Sequence, residues 1–261
     1  MGPLICFFNY YSIMKFVNCV WELENLGRRV CEVNIEPDDS FDEREIIEKT
    51  SSFDYVVIKV GMNHAEFNFG LSRLGFCMVE TQLNISMRYK DFNFEDRLVK
   101  RLLPHVDEKI VTSSEDLDGI ISRITPNMFS TDRIYLDPRF DKSSSMIRYS
   151  NWIKTEFKRK TSLVKEILFD GVAIGFGMQR DKDGVISGLL GGIYEREQSE
   201  GYGLLTACSG FLTSKKNGSP FVKVHTAISS NNYPMLQIYN YLNFKIHNMT
   251  YVFVKHNDIK I

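Results

Sequence analysis

The chain has 261 residues, of which 43% are hydrophobic and 25% charged, a composition typical of a globular protein with one large domain or two modest ones. Its formal net charge is −1, so nothing in the composition predicts a nucleic-acid partner or an anionic membrane surface. The five cysteines are odd in number and lack metal-ligand spacing. We therefore predict reduced thiols in a cytoplasmic protein without a metal centre.

The N-terminal segment, residues 4–20, is apolar but is interrupted by Asn9, Lys15 and Asn18, and no small-residue cleavage site follows it. These breaks argue against a signal peptide or a membrane span. We expect a buried strand or helix there, or a poorly ordered start.

The N-terminal half alternates between strand and helix patterns. Residues 30–35 alternate polar and apolar side chains, and residues 53–60 are rich in aromatic and β-branched side chains, both typical of strands. A more polar stretch over 90–125 predicts a boundary near residue 120 between an N-terminal α/β domain, serving packing, substrate enclosure or dimer contact, and a second domain over 121–261. We predict strands over 30–35, 53–60 and 76–87, and helices over 44–51 and 65–74.

The C-terminal half predicts a longer α/β succession with several consecutive strands. Gly184 and Gly218 mark turns between its elements. We predict strands over 132–136, 163–169, 172–180, 185–194, 221–228 and 244–255, and helices over 145–159, 201–213 and 233–242.

One pattern occurs twice in the chain. Asn63 is followed by a helix-like run that ends at Leu74-Gly75-Phe76, and Asn232 is followed by a similar run that ends at 242–244. We interpret the first copy as a degenerate half-domain that kept the packing and lost the chemistry. The alternative is that any strand–helix–strand unit looks like this.

Residues 198–203 read Gln-Ser-Glu-Gly-Tyr-Gly and lie where a predicted strand passes into a predicted helix. Unpaired N–H groups at a helix start attract phosphate, and glycines let a bulky pyrophosphate approach the backbone. The preceding Gly191-Gly192 pair predicts a bulge or a close backbone approach, where an exposed N–H could polarise a thioester carbonyl. The alternative is a tight turn without a ligand.

A second motif starts at Asn232, a good N-cap, with Pro234 in the first turn. Tyr239 lies two helical turns further on the same face. Its phenol could protonate a departing thiolate, since the free pKa values are about 8.5 for a thiol and about 10 for tyrosine. The alternative is a core tyrosine.

Together these motifs resemble the GCN5-related N-acetyltransferase (GNAT) superfamily. The resemblance implies a GNAT fold with a central mixed sheet flanked by helices, preceded by a smaller α/β domain resembling a degenerate half-GNAT. It also implies acetyl-CoA or another short-chain acyl-CoA as co-substrate, with Tyr239 as the catalytic acid. Asn243 replaces the usual glycine of the family, a mild departure because asparagine tolerates the left-handed conformation. The implied coenzyme A contacts are Gln198, Ser199, Glu200, Gly201, Tyr202, Gly203, Leu204, Asn232 and Tyr239.

Further segments resemble the dTDP-fucosamine acetyltransferases of bacterial surface-polysaccharide synthesis. These are an opening motif at Trp21-Glu22, with Glu24 and Gly27, and the stretches 132–140 and 148–153. This resemblance implies acyl transfer to the amine of a dTDP-linked amino-dideoxysugar, for O-antigen or capsule synthesis, in a homodimer. The side chains expected to bind the acceptor are Asp132, Arg133, Tyr149, Asn151 and Trp152.

The sequence shows no clear general base. Asp132 or a water relay could take the proton of the amine, whereas the five histidines form no motif. Two other readings stay open: a GNAT that acts on a protein N-terminus or a small-molecule amine, and a non-catalytic acyl-CoA-binding module. Cys208 is expected to be a packed core thiol rather than an acyl carrier.

Overall fold

The computed structural model describes residues 14–198 and 201–257, which divide into two compact units. The first unit runs to Val79 and includes the C-terminal segment from Thr250, and the second comprises Glu80–Met249. This division differs from the boundary predicted near residue 120. The polar stretch 90–125 belongs to the second unit because its strand Val106–Ile110 pairs with the strand Leu163–Phe169.

The first unit is built on a small mixed sheet. Its strands are ordered β1, β2, β3 and the C-terminal part of β10, and only β2 and β3 run parallel. Four successive residues of β3 are buried, as expected for a strand covered on both faces. The elements are β1 (Lys15–Asn18), α1 (Glu22–Leu26), β2 (Val30–Asn34), α2 (Glu43–Thr50), β3 (Tyr55–Gly61) and α3 (Ala65–Arg73), with β4 (Cys77–Arg88) and β10 (Lys245–His256) continuing into the second unit.

The second unit is a larger mixed sheet flanked by helices, as predicted. From β4 outward the strand order is β4, β9, β8, β7, β6, β5, and only β8 and β9 run parallel. The elements are α4 (Arg97–Leu102), β5 (Val106–Ile110), α5 (Ser114–Ile121), α6 (Arg133–Leu136), α7 (Ser144–Arg159), β6 (Leu163–Phe169), β7 (Val172–Lys182), β8 (Val185–Ile193), α8 (Glu195–Gln198), α9 (Gly203–Asn217), β9 (Lys223–Ser229) and α10 (Tyr233–Tyr241).

One predicted element is wrong in type. Residues 132–136 form a cap and a short helix rather than a strand, because the Asp132 carboxylate accepts a hydrogen bond from the backbone N–H of Ile134 at 3.0 Å. Aspartate at this position satisfies a donor that the first helical turn leaves free. The apolar residues Ile134 and Leu136 imitate a strand pattern over so short a run.

Helices cover both faces of the sheet in the second unit. On one face α9 packs with Ile85, Ile167 and Ile193 of three strands. On the other face α5 and α7 pack with Val164 and Phe176. The alternation of side chains along each strand therefore assigns every strand residue to an α9 face or an α7 face.

The two copies of the repeated pattern have the same order of elements. The succession β2–α2–β3–α3–β4 matches β8–α9–β9–α10–β10, apart from the four-residue α8 that the second copy has between β8 and α9, and each begins with two parallel strands connected through a helix. Leu71, which aligns with Tyr239, is fully buried in the apolar core of the first unit. The shared topology supports the half-domain interpretation.

Membrane spanning and thiol state can be stated for the described part of the chain. No helix in residues 14–198 or 201–257 is long and apolar enough to cross a bilayer. Cys19, Cys31 and Cys208 are buried and unpaired. Burial raises the pKa of Cys208 to about 12, which confirms it as a core thiol and makes it a poor nucleophile.

A buried carboxylate fixes the C-terminal end of α7. Glu156 accepts hydrogen bonds from Arg180 at 2.8 and 2.9 Å and from the Thr161 hydroxyl at 2.7 Å, and Ser162 also donates to it. Burial opposes the charge, but the Arg180 guanidinium and the two hydroxyls outweigh it and lower the pKa of Glu156 to about 2. The folded state therefore favours the charged carboxylate more than the unfolded chain does.

Glu156→Gln keeps the side-chain shape and removes the charge. We expect it to lower the free energy of unfolding at pH 7 by about 1.5–3 kcal/mol, the worth of hydrogen bonds to a charged group. Because the native pKa is depressed, this stabilisation is present above about pH 4.5 and is lost as the pH falls toward 2. Urea unfolding of both proteins at pH 7 and pH 3 measures this. A difference that stays constant between these pH values would contradict the assignment.

Candidate functional site

The parallel strands β8 and β9 separate partway along their length. Their paired residues run from Val185 opposite Lys223 to Gly188 opposite Thr226. The Thr226 hydroxyl donates to the Gly188 carbonyl at 2.9 Å at this last pair. Beyond it, β8 continues to Ile193 without pairing to β9, so a cleft opens between two neighbouring strands.

A β-bulge lies on β8 where the cleft begins. Met178 of β7 is opposite Leu190 and Gln179 is opposite Gly188, which leaves Leu189 as the extra residue. Such a residue disrupts the ladder and redirects local backbone groups. The sequence predicted a bulge or a close backbone approach at Gly191-Gly192. The observed bulge lies two residues before Gly191, at Leu189.

Close approach does occur at the glycine pair. A Cβ on Gly192 would lie 2.8 Å from the Met128 sulfur, and a Cβ on Gly191 would lie 3.3 Å from the Phe176 carbonyl oxygen. A side chain at either position would require Met128 or the β7 backbone to shift. These contacts also show that Met128, in the short 3-10 helix Pro126–Phe129 before α6, packs on the α7 face of β8.

A cavity of about 450 Å³ occupies the cleft. Its volume falls within the range of small-molecule sites. Its walls come from β8 and β9, from the first two turns of α9, from α10, and from the loop 127–132. Of the predicted site residues it brings together Gly203, Asn232, Tyr239 and Asp132.

Among the described residues, no side chain caps the N-terminal end of α9. Tyr202 occupies the cap position, and its side chain accepts no hydrogen bond from the helix backbone. Gly201 adopts φ +81°, a conformation that glycine favours. Gly203 begins the helix and Leu204 is buried behind it. Ser199, Glu200 and the side chain of Gln198 lie outside the described residues, so their predicted contacts stay predictions.

Helix α10 carries Tyr239 to the cavity. Asn232 caps this helix, accepting a hydrogen bond from the Met235 N–H at 3.3 Å. The Tyr239 ring packs edge-on against Phe244, with 4.8 Å between centroids. Burial raises the pKa of Tyr239 to about 12, so the phenol stays protonated at neutral pH and can donate a hydrogen bond into the cavity.

Asp132 lies at the cavity wall, but its carboxylate already accepts hydrogen bonds from neighbouring protein groups. It accepts from Ser145 at 2.6 Å and from the Tyr149 hydroxyl at 2.8 Å, in addition to capping α6. Burial opposes its charge, yet the Arg133 and Arg148 guanidiniums and these hydroxyls lower its pKa. A carboxylate with a lowered pKa is a weak base, which disfavours Asp132 as the proton acceptor.

The other predicted acceptor contacts do not line this cavity, and their roles stay predictions. Arg133 lies 3.4 Å from Glu80 in a buried ion pair. Trp152 donates to Glu156 at 3.3 Å, and Tyr149 and Trp152 pack in the α7 core. Asn151 is half-buried on α7. The residues that sequence reasoning missed precede Asp132: Asn127, Ser130 and Thr131 line the cavity.

The structure also assembles a row of serines and histidines that the sequence did not reveal. Ser187 of β8 and His225 of β9 form the pair just before Gly188 and Thr226, and their side chains lie 2.7 Å apart. Ser86 of β4 pairs with His225 on its other side and lies 2.5 Å from His247. Val224 packs toward α9, so by alternation this row lies on the opposite face, the one that carries Met128.

The comparisons with known proteins identify a fold. No protein-family model and no curated protein matches the sequence. A GCN5-related N-acetyltransferase from Kribbella flavida matches with a TM-score of 0.54 and 13% identity, over 87% of this chain and 81% of that one. A tandem GNAT protein from the clavulanic acid biosynthesis pathway matches with a TM-score of 0.52 and 10% identity, over 89% and 76%.

A protein of unknown function from Staphylococcus epidermidis matches with a TM-score of 0.57 and 13% identity, over 88% of this chain and 85% of that one. The chain thus has the fold of the GCN5-related N-acetyltransferases, which confirms the predicted fold class. At such low identity the likeness establishes the fold, and function must be argued from the site.

Proposed function

We propose that the protein is an N-acyltransferase that moves an acyl group from coenzyme A to an amine in the cleft between β8 and β9. One observation carries the proposal: the strands part where a glycine-led helix start, without a side-chain cap from the described residues, and a protonated tyrosine border the same cavity. An unfilled helix N-terminus attracts phosphate. The strand edges that border a cleft can form backbone hydrogen bonds with the amide-bearing arm of the coenzyme.

The first unit provides an internal comparison for this argument. All five residues of β2 pair with β3, so no cleft opens between those parallel strands. The connecting helix α2 is capped by Asp42, which accepts from two backbone N–H groups, and Glu43 and Glu45 add negative charge to its first turn. These carboxylates stabilise the helix and repel phosphate. The same strand–helix–strand topology thus occurs twice: with fully paired parallel strands in the first unit, and with strands that separate in the second.

The reaction requires an uncharged amine, a polarised thioester and a stabilised thiolate. The amine nitrogen bonds to the acyl carbon, the carbon–sulfur bond breaks, and the thiol leaves as the amine loses a proton. We assign the stabilisation of the oxygen that becomes negative to backbone N–H groups at the bulge at Leu189. We assign the stabilisation of the leaving sulfur to Tyr239.

The raised pKa of Tyr239 refines its role. Full proton transfer from a group with a pKa of about 12 to a thiolate whose acid has a pKa of about 8.5 is uphill. A hydrogen bond from the phenol to the developing thiolate needs no such transfer. We therefore propose that Tyr239 stabilises the leaving group chiefly as a hydrogen-bond donor.

We propose His225 as the base that takes the proton of the amine. It lies one residue before the point where the strands part and shares a sheet face with the loop 127–132. Its Nε2 is within hydrogen-bond distance of Ser187, which orients the ring. Histidine is the side chain best suited to proton transfer near neutral pH.

For the acceptor, we propose the amine of a nucleotide-linked, dTDP-type amino sugar of surface-polysaccharide synthesis. The resemblance of the stretches 132–140 and 148–153 supports it, as do the polar side chains of the loop 127–132 at the cavity. A second depression of about 470 Å³ is lined by Arg88, Lys223 and Lys245, and also by Asp91, which forms an ion pair with Arg88. Lys223 lies two residues from His225 on the same strand face, so these cations could bind the diphosphate.

Gly203→Asp tests the coenzyme site, with Gly203→Asn as the matched uncharged variant. An aspartate in the first turn favours the helix but repels a pyrophosphate, whereas the asparagine differs only in charge. We expect Gly203→Asp to bind coenzyme A at least about tenfold more weakly than Gly203→Asn, with no loss of thermal stability. Calorimetric titration measures this. Equal affinities would remove the α9 start from the site.

Tyr239→Phe keeps the ring and removes the hydroxyl. We expect coenzyme A binding to persist and kcat to fall by about 10- to 100-fold, the worth of one hydrogen bond to a charged group. With a pKa of about 12, Tyr239 should contribute no ionisation to the pH profile of kcat below about pH 10. Wild-type turnover by the variant, measured where chemistry limits the rate, would make Tyr239 a packing residue.

His225→Gln tests the base, and His247→Gln is its matched control in the same row. We expect only the His225 variant to lose about 10²- to 10⁴-fold in kcat/KM at neutral pH. The loss should shrink at high pH, where the amine deprotonates unaided. Equal losses in the two variants, or a loss that is independent of pH, would count against His225.

A further inference from the structure

A buried ion pair lies at one end of the cavity. The Lys165 ammonium of β6 is 2.7 Å from the Glu108 carboxylate of β5, and each side chain is only 12% exposed. Ser209 of α9 donates to the same carboxylate oxygen at 2.6 Å. Lys165 and Ser209 both border the cavity. Burying such a pair in an apolar interior is costly and adds little to stability, so its position against a binding cavity calls for another reason.

Glycines make room for the pair on the α9 face of the sheet. Lys165 is opposite Gly177, and Gly177 is opposite Gly191 at the cleft. A Cβ on Gly177 would lie 3.3 Å from the Lys165 Cε, so the stem of the lysine lies against this glycine while its ammonium reaches Glu108 of β5. The path from Gly191 at the cleft to the lysine stem at Gly177 thus crosses about one strand spacing, about 4.8 Å.

The side chains of α9 that face these glycines are also small. Residues of α9 that border the cavity include Gly203, Thr206, Ala207 and Gly210, which recur at helical spacing along one face. A Cβ on Gly210 would lie 3.6 Å from the Lys165 Nζ. Gly203 and Gly210 are two turns apart, about 10.5 Å along the axis. The space between α9 and the sheet therefore continues beyond the helix start as far as the ion pair.

We infer that this space is an acyl pocket and that the preferred donor carries a short hydroxyacyl group rather than acetyl. The inference rests on the proposed function of the cleft. An ammonium has three N–H donors, and Glu108 takes one of those of Lys165. A hydroxyl on a chain of about four carbons accepts from Lys165 and donates to the hydroxyl oxygen of Ser209, which both border the cavity. It thereby adds hydrogen bonds at this polar end without adding charge.

Other acyl groups fit this polar end less well. An alkyl chain would displace water from the ammonium and the carboxylate and replace none of the lost hydrogen bonds. A terminal carboxylate would bring a second negative charge beside Glu108. Acetyl is too short to cross from the cleft to Lys165, so it leaves the pocket unused. The expected donor order is 3-hydroxybutyryl-CoA before acetyl-CoA, with butyryl-CoA and succinyl-CoA last.

The first experiment measures binding of coenzyme A, acetyl-CoA, butyryl-CoA, 3-hydroxybutyryl-CoA and succinyl-CoA to the full chain by calorimetry. We expect 3-hydroxybutyryl-CoA to bind about 10- to 100-fold more tightly than butyryl-CoA, the range for one hydrogen bond to a charged group. Failure of every thioester and of coenzyme A to bind would overturn the proposed function. Binding of all of them without a preference for the hydroxyl would overturn only the acyl pocket.

The second experiment removes the polar end of the pocket. Lys165→Met combined with Glu108→Gln leaves no unpaired charge buried and keeps an acceptor for Ser209, and Lys182→Met, on the exposed β7–β8 hairpin, is the control. We expect the double variant to lose the preference for 3-hydroxybutyryl-CoA over butyryl-CoA and the control to keep it. An equal loss for coenzyme A and every thioester would assign Lys165 to the pantetheine arm and overturn the inference.

Discussion

The separation of β8 from β9 after Gly188 and Thr226 is the feature on which the rest of the site depends. Parallel neighbours that stay paired bury their backbone groups in each other, and such a sheet has no room for a ligand between its strands. Once the pairing stops, the edges of β8 and β9 no longer bond to each other, and the cavity lies between them. The helix start at Gly203, the ring of Tyr239 and the loop 127–132 border that opening.

The two halves of the chain share one topology, in which the parallel strands either stay paired and pack or separate around a cavity. In the first unit the parallel pair is fully laddered, its helix is capped by Asp42, and Leu71 fills the apolar core. In the second unit the corresponding strands part, the helix start lacks a side-chain cap from the described residues, and Tyr239 replaces the leucine. Each difference trades local stability for an accessible polar group, as expected when a site is grafted on a fold.

Local sequence patterns were enough for most of the fold. The strand over 163–169 coincides with the observed Leu163–Phe169, and the helix expected from residue 233 begins at Tyr233 under its Asn232 cap. The error at 132–136 arose because a four-residue helix has too little length to show its period. The boundary near 120 reflected composition, whereas the actual division depends on which strands pair.

The site was less accessible to sequence reasoning because it is made by non-local register. His225 alone is one polar residue in a strand, and only the pairing with Ser187 and Ser86 places it in a row beside the cleft. Arg133 matched an expected anion contact by residue type, yet its buried pair with Glu80 depends on the approach of a distant strand. Strand pairing likewise brings Lys165 beside Glu108, and Lys165 borders the cavity next to glycines that no local sequence pattern identifies as part of a pocket.

The number of coenzyme A molecules bound by one chain tests the central claim most directly. Calorimetric titration of the full chain with coenzyme A gives this stoichiometry without any assumption about the acceptor. The parallel strands separate in the second unit and are fully paired in the first. This difference predicts one coenzyme A molecule per chain. Two molecules per chain would show that the laddered strands of the first unit also open, and no binding would show that the parting of β8 and β9 serves some other ligand.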